Sequence, residues 1–229
     1  MTLAIMQPYL FPYIGYWQLI NTADTFVIYD DVNFIKQGYI NRNSILANKK
    51  KQLFTLELIQ ASANKLINEI QIGRNRAKIL KTIKQNYIKA PYFKTVYPIL
   101  EDIFNQDEQN LAKFIGYSLQ HISDYLQIET KLIYSSDIKK DNSLKAQDKV
   151  IHICKILKAT HYINAIGGQE LYSKERFKSE NIQLNFIKTK LLEYKQFDNE
   201  FIPYLSIIDI MMFNDIHDIK MMLNSYELV

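Results

Sequence analysis

A single cysteine, Cys154, occurs in 229 residues. That excludes an intramolecular disulfide, and without a CxxC pair there is no zinc-site spacing. Between Ile153 and Ile156 on an apolar helical face, it reads as a buried, inert thiol. The four histidines, His121, His152, His161 and His217, lack any spacing such as HExxH, so no metal site is expected. GxSxG, GxGxxG and P-loop signatures are absent too, which removes the standard serine-hydrolase and nucleotide fingerprints. No charge of one sign dominates: 28 basic and 24 acidic residues leave +4. The densest basic run is only Lys49-Lys50-Lys51. That argues against nucleic acid but suits a small anionic ligand. No apolar run approaches the roughly 20 residues that span a bilayer. The N-terminus lacks the basic flank and cleavage site of a signal peptide. The expectation is a soluble, cytoplasmic protein without membrane insertion.

What is present concentrates in the first 43 residues. A short apolar run, Thr2-Leu3-Ala4-Ile5-Met6, breaks at Gln7-Pro8-Tyr9-Leu10-Phe11-Pro12-Tyr13. Pro12 suits a first helical position, and Ile14, Trp17, Leu19 and Ile20 form an imperfect helical face. Thr25-Phe26-Val27-Ile28-Tyr29 is β-branched and aromatic and ends on Asp30-Asp31. A polar loop follows, carrying Lys36 and Asn41-Arg42-Asn43. Strand, helix and strand imply two parallel strands joined by a right-handed crossover.

Further on, residues 51–59 alternate as a strand, and residues 66–72 suggest a partner extending the same sheet antiparallel. From residue 74 to 125 the spacing turns helical, for about three helices, with Asp107 as an N-cap. Strands then recur at residues 131–134, 161–164 and 182–187, between helices at 143–158, after Gly167-Gly168, at 201–214 and at 216–223. The expected class is α/β: a largely parallel sheet with helices on both faces, plus a helical insert in the middle of the chain. The divisions are 1–72, an N-terminal part of the sheet, 73–127, the helical insert, and 128–229, the part completing that sheet. No repeat, low-complexity segment or linker interrupts them.

Parallel α/β sheets bind ligands at the carboxyl ends of their strands. The residues there are Gln7 and Tyr9, Asp30 and Asp31, Ser135 to Asp137, and Asn164 with Gly167 and Gly168. Each has two readings. Asp30-Asp31 is a solvated junction, or one acid is a general base. Asn41-Arg42-Asn43 is a turn, or Arg42 forks onto a phosphate or carboxylate while Asn41 and Asn43 order the loop. Lys36 is a surface lysine or an anion partner. Gly167-Gly168 is a left-handed turn or lets backbone N–H groups approach an anion. Tyr9, Phe11, Tyr13 and Tyr16 are core, or a platform for a base or sugar face.

The run from Met6 to Tyr16, then Tyr29-Asp30-Asp31-Val32 and Asn41-Arg42-Asn43, resembles the WbqC-like family. So do Asn86-Tyr87 with Ala90-Pro91, Tyr162 to Tyr172 with its glycine pair, Phe201 to Asp209, and Phe213-Asn214. The resemblance implies a place in bacterial O-antigen and related surface-polysaccharide (lipopolysaccharide) biosynthesis. It implies an acyl- or aminoacyltransferase, glycyl among the candidates, forming an amide on the amine of a nucleotide-linked amino sugar. Asp30 or Asp31 is then the expected base, and Gln7 and Asn164 the oxyanion donors. Lys36 and Arg42 would hold phosphates, and Tyr9 and Tyr13 would stack on the base or sugar. No cofactor is expected to be bound permanently. The co-substrate is an activated acyl donor, a carrier-protein or coenzyme thioester, so an acyl-carrier protein is a possible partner, and oligomerisation stays open. Two alternatives remain. One is a nucleotidylyltransferase-like, ATP-dependent amide ligase, although Tyr13-Ile14-Gly15-Tyr16 lacks both histidines of the HxGH motif. The other is a non-catalytic nucleotide-sugar-binding protein.

Overall fold

The computed structural model describes residues 1–198 and 200–229. The chain opens with β1 (Thr2–Met6), α1 (Ile14–Thr22) and β2 (Thr25–Ile28). Two short pairs follow, β3 (Arg42–Ala47) with β4 (Lys50–Thr55), and β5 (Leu58–Ile59) with β6 (Gln71–Ile72). Next come α2 (Arg76–Tyr87), α3 (Phe93–Asn105) and α4 (Leu111–Leu126). The α/β alternation resumes with β7 (Lys131–Tyr134), α5 (Ala146–Ile156), β8 (His161–Ala165), α6 (Lys174–Lys178) and β9 (Gln183–Thr189). Helices α7 (Ile207–Phe213) and α8 (Ile216–Leu223) and strand β10 (Tyr226–Leu228) close the chain.

Six strands form the main sheet in the order β10-β9-β8-β1-β2-β7. All neighbours pair parallel except β10, which runs antiparallel to β9. Successive side chains of a strand face opposite sides, and both sides here are apolar. Ala4, Phe26 and Ile28 join a large core with α1, α2, α3, α4, α7 and α8. Leu3, Ile5 and Val27 join a smaller core with α5 and α6. The sheet is therefore mostly parallel with helices on both faces, as the sequence pattern implies. Among the described residues, no helix is long and apolar enough to cross a membrane.

Several local expectations need correction. Residues 51–59 and 66–72 do not extend the main sheet. Leu58–Ile59 and Gln71–Ile72 do pair antiparallel, as expected, but in a two-stranded sheet of their own, and β4 lies in another. The alternating residues of β4 pair instead with β3, through a turn in which Asn48 and Lys49 take positive φ. Asn41-Arg42-Asn43 is not a turn: β3 begins at Arg42. Its polar sequence hides a strand whose partner is local. Asn110, not Asp107, caps α4, its side chain accepting from Lys113 N at 3.1 Å. Pro12 lies outside α1, which starts at Ile14. The helix expected over residues 201–214 begins only at Ile207, where Ser206 caps it.

Candidate functional site

The order of the strands decides where a site can open. From β1 the chain moves outward through β2 to β7, then returns to the other side of β1 for β8 and β9. Between β1 and β8 the direction of winding reverses. The connections leaving these two strands go to opposite faces: α1 packs in the large core and α6, through Phe177, in the small one. Diverging connections leave a crevice at the carboxyl ends, where such folds hold ligands.

A cleft of about 430 Å³ lies there. It is lined by Gln7, Tyr9 and Tyr13 from the β1 side and Asn164, Gly167 and Gly168 from the β8 side. Tyr16, Tyr29, Tyr172, Ile35 and Leu171 complete the walls. Among the described residues, no charged side chain lines it. Burial raises the phenol pKa values of Tyr9, Tyr13, Tyr16, Tyr29 and Tyr172. These hydroxyls stay neutral at ordinary pH, as hydrogen-bond donors and acceptors.

The turn that carries Gln7, Tyr9 and Tyr13 is held chiefly at the carbonyls of Leu10, Phe11 and Pro12. Asn43 Nδ2 donates to the carbonyls of Leu10, at 3.0 Å, and Phe11, at 2.7 Å. Ser206 Oγ also donates to Phe11 O, at 2.8 Å. Trp17 Nε1 and Ile207 N both donate to Pro12 O. Leu10 N donates to Tyr39 O. These bonds impose a left-handed backbone on Phe11, φ 44°, a costly conformation for a bulky residue. Its fully buried ring stacks on Phe104 at 5.3 Å. The opening, Asn41-Arg42-Asn43 and closing motifs are thus one framework in space.

Gln7 lends only its backbone carbonyl to that framework, accepting from Tyr16 Oη at 2.8 Å, and its side-chain amide bonds no protein group among the described residues. Asn164 Oδ1 accepts from Ala165 N at 2.7 Å, and Nδ2 donates to Tyr162 Oη at 3.0 Å. Its amide also hydrogen-bonds the Tyr172 hydroxyl, a cleft-wall phenol whose place a ligand acceptor would take. Gly167 and Gly168 sit in a 3₁₀ turn, Ile166–Leu171, neither with positive φ. The left-handed reading of this pair is therefore wrong. A Cβ at Gly167 would meet open space, whereas one at Gly168 would crowd Asn164 Nδ2 at 3.2 Å.

The remaining expected residues lie elsewhere. Asp30 is fully buried and accepts from Ser136 N at 2.9 Å, Ser136 Oγ at 2.6 Å and Asn68 Nδ2 at 3.3 Å. It ties the end of β2 to the end of β7 and does not line the cleft. Asp31 does not line it either: Lys140 Nζ sits at 2.6 Å and Lys149 Nζ at 3.8 Å. Burial opposes its charge, but Lys140, Ser135 and Lys149 together outweigh that and hold the carboxyl below its ordinary pKa. Arg42 donates to the backbone carbonyls of Gly38 and Gln37, so its guanidinium folds onto its own loop. Asn41 Nδ2 donates to Leu56 O at 2.9 Å. Lys36 is exposed on the loop between Ile35 and Tyr39. Sequence reasoning overlooked Tyr29, Tyr39, Tyr172 and Tyr204. Their signal was the density of tyrosine, 16 in the chain. No group of three or more His, Cys, Asp or Glu converges as a metal site among the described residues.

Comparison with known proteins adds the following. An uncharacterized protein of Mycobacterium tuberculosis, Rv1507c, is 28% identical over 213 residues, covering 91% of each chain. No solved structure matches. The profile of the WbqC-like protein family matches residues 7–221, from the first cleft residue to α8, and the chain belongs to that family.

Proposed function

We propose that the protein is an N-acyltransferase that forms an amide on the amine of a nucleotide-linked amino sugar in surface-polysaccharide biosynthesis. The observation that carries this reading is that Gln7 and Asn164 line the same tyrosine-walled cleft at the β1/β8 crevice, which among the described residues has no charged side chain in its lining. Such walls suit sugar hydroxyls, and two side-chain amides suit a carbonyl that is gaining negative charge.

With a thioester donor the step balances without a protein carboxylate. The unprotonated sugar amine attacks the thioester carbon, forming the C–N bond. The tetrahedral oxyanion accepts hydrogen bonds from Gln7 Nε2 and Asn164 Nδ2. Collapse breaks the C–S bond, and the leaving thiolate takes the amine's proton. Asp30 and Asp31 then support the rim, Lys36 reaches the substrate phosphates from its loop, and Arg42 orders that loop. Most of the rate comes from holding amine and thioester together and from preorganised donors.

The test is amide formation, followed by mass spectrometry, with acyl and aminoacyl thioesters and a panel of nucleotide amino sugars. Gln7→Ala is expected to lower kcat by roughly 100-fold or more while nucleotide-sugar affinity holds. Unchanged kcat removes Gln7 from the mechanism. Tight sugar-nucleotide binding without amide from any donor removes the transferase reading.

A further inference from the structure

A second recess, about 210 Å³, opens beside the cleft. It is lined by Tyr9, Pro12, Tyr13, Tyr39, Asn43 and Tyr204. Tyr9 and Tyr13 line both spaces, so the two are adjoining chambers of one site. The rings fall into two pairs. Tyr9 and Tyr39 lie 6.0 Å apart, and Tyr13 and Tyr204 lie 6.3 Å apart, edge to face. Among the described residues, no ring contact joins one pair to the other.

Tyr39 and Tyr204 are unusual as surface residues, at 55% and 58% exposed. Tyr204 also holds a left-handed backbone, φ 58°. A bulky side chain rarely adopts that conformation, and little packing compensates it here.

The walls narrow what that is. Among the described residues, no charged side chain lines the recess, which argues against both a phosphate and an ammonium group. The Asn43 amide is already committed: Nδ2 to Leu10 O and Phe11 O, Oδ1 to Ser44 N. What remains are aromatic faces and phenol hydroxyls. Burial raises the pKa of Tyr9, with Tyr13 and Tyr39 adding to it, so the Tyr9 hydroxyl stays protonated. Stacking faces with neutral donors and acceptors suit a flat, uncharged ring with a polar edge.

We propose that this recess is the base subsite: the nucleobase of a nucleotide-linked substrate lies between the Tyr9–Tyr39 and Tyr13–Tyr204 pairs, with its sugar in the larger cleft. The inference rests on the nucleotide-sugar reading above and adds to it which chamber takes which end. It requires that the base alone carry part of the affinity, independent of phosphate.

Calorimetric titration of the full chain with uridine, thymidine, adenosine and guanosine, with their mono- and diphosphates, and with free glucosamine tests this. At least one nucleoside is expected to bind without phosphate. Tyr39→Ala and Tyr204→Ala should each weaken that nucleoside and its diphosphate by the same factor, roughly 5- to 150-fold, the usual worth of one base stack. Affinity for glucosamine should not change. Both side chains are exposed, so the core is untouched, and Tyr204→Gly removes the ring while suiting the left-handed backbone. Failure of every nucleoside to bind overturns the proposal, as does a loss seen with the diphosphate alone or with glucosamine. Amide formation that survives without nucleoside binding sinks only the base subsite. Nucleoside binding without amide formation sinks only the transferase reading.

Discussion

Asp30 and Asp31 are adjacent and chemically alike, yet their partners separate them. Asp30 closes onto Ser136 and Asn68, while Asp31 pairs with Lys140. The Asp31 side chain is 11% exposed and that of Lys140 2%, so removing one charge strands the other. Asp31→Asn is expected to cost about 3–5 kcal/mol at neutral pH, measured by urea unfolding. The pH dependence follows from the lowered pKa. The folded state binds a proton at Asp31 less readily than the unfolded chain does. The stability this contributes is full above the ordinary value of 3.8 and is lost as pH falls through the lower folded value. The variant should therefore lose less stability than the parent below about pH 4. Equal slopes would mean that the Lys140 pair has no such effect.

At the scale of elements, the turn after β1 and the start of α1 depend on one small residue. A Cβ on Gly15 would lie 2.5 Å from the Tyr13 ring and 2.5 Å from Thr189 Oγ1. Glycine there leaves room for the Tyr13 ring beside Thr189 Oγ1. Gly15→Ala gains helix propensity but forces the ring aside. It should destabilise the fold by about 1–3 kcal/mol, as overpacking does, and weaken nucleotide-sugar binding. Retained affinity together with a raised Tm would show that Tyr13 is not held by this contact. Elements also show what sequence patterns conceal. The apolar runs of β1 and β2 were legible because both faces of a central parallel strand are buried. β3 was not, because Arg42, Asn43 and Ser44 are polar yet serve a local hairpin and the turn above it. β10 is three residues of mixed character, too short for any period to register.

Across the whole molecule, the cleft joins strands that are far apart in sequence, and a ligand bridging them stabilises only the folded state. A nucleotide amino sugar at 100 times its Kd should add about 2.7 kcal/mol. At roughly 2–4 °C per kcal/mol for a chain of this size, Tm should rise by about 5–10 °C, read in a thermal-shift screen. No rise with any nucleotide amino sugar at saturating concentration would leave the cleft without its proposed ligand.

The sequence by itself determined the parallel α/β architecture, because buried strands and amphipathic helices write their periods into neighbouring residues. It also marked Gln7, Tyr9, Asn164, Gly167 and Gly168 as groups that come after or end a strand, and Tyr13 as part of an aromatic cluster, from their places along the chain. Only the tertiary structure decided which strand ends share a crevice. That depends on strand order, and strand order is set by long-range pairing that no local pattern encodes. By placing β8 against β1 and β7 against β2, the fold opened one pair of connections into a cleft. It tied the other pair together through Asp30 and Ser136.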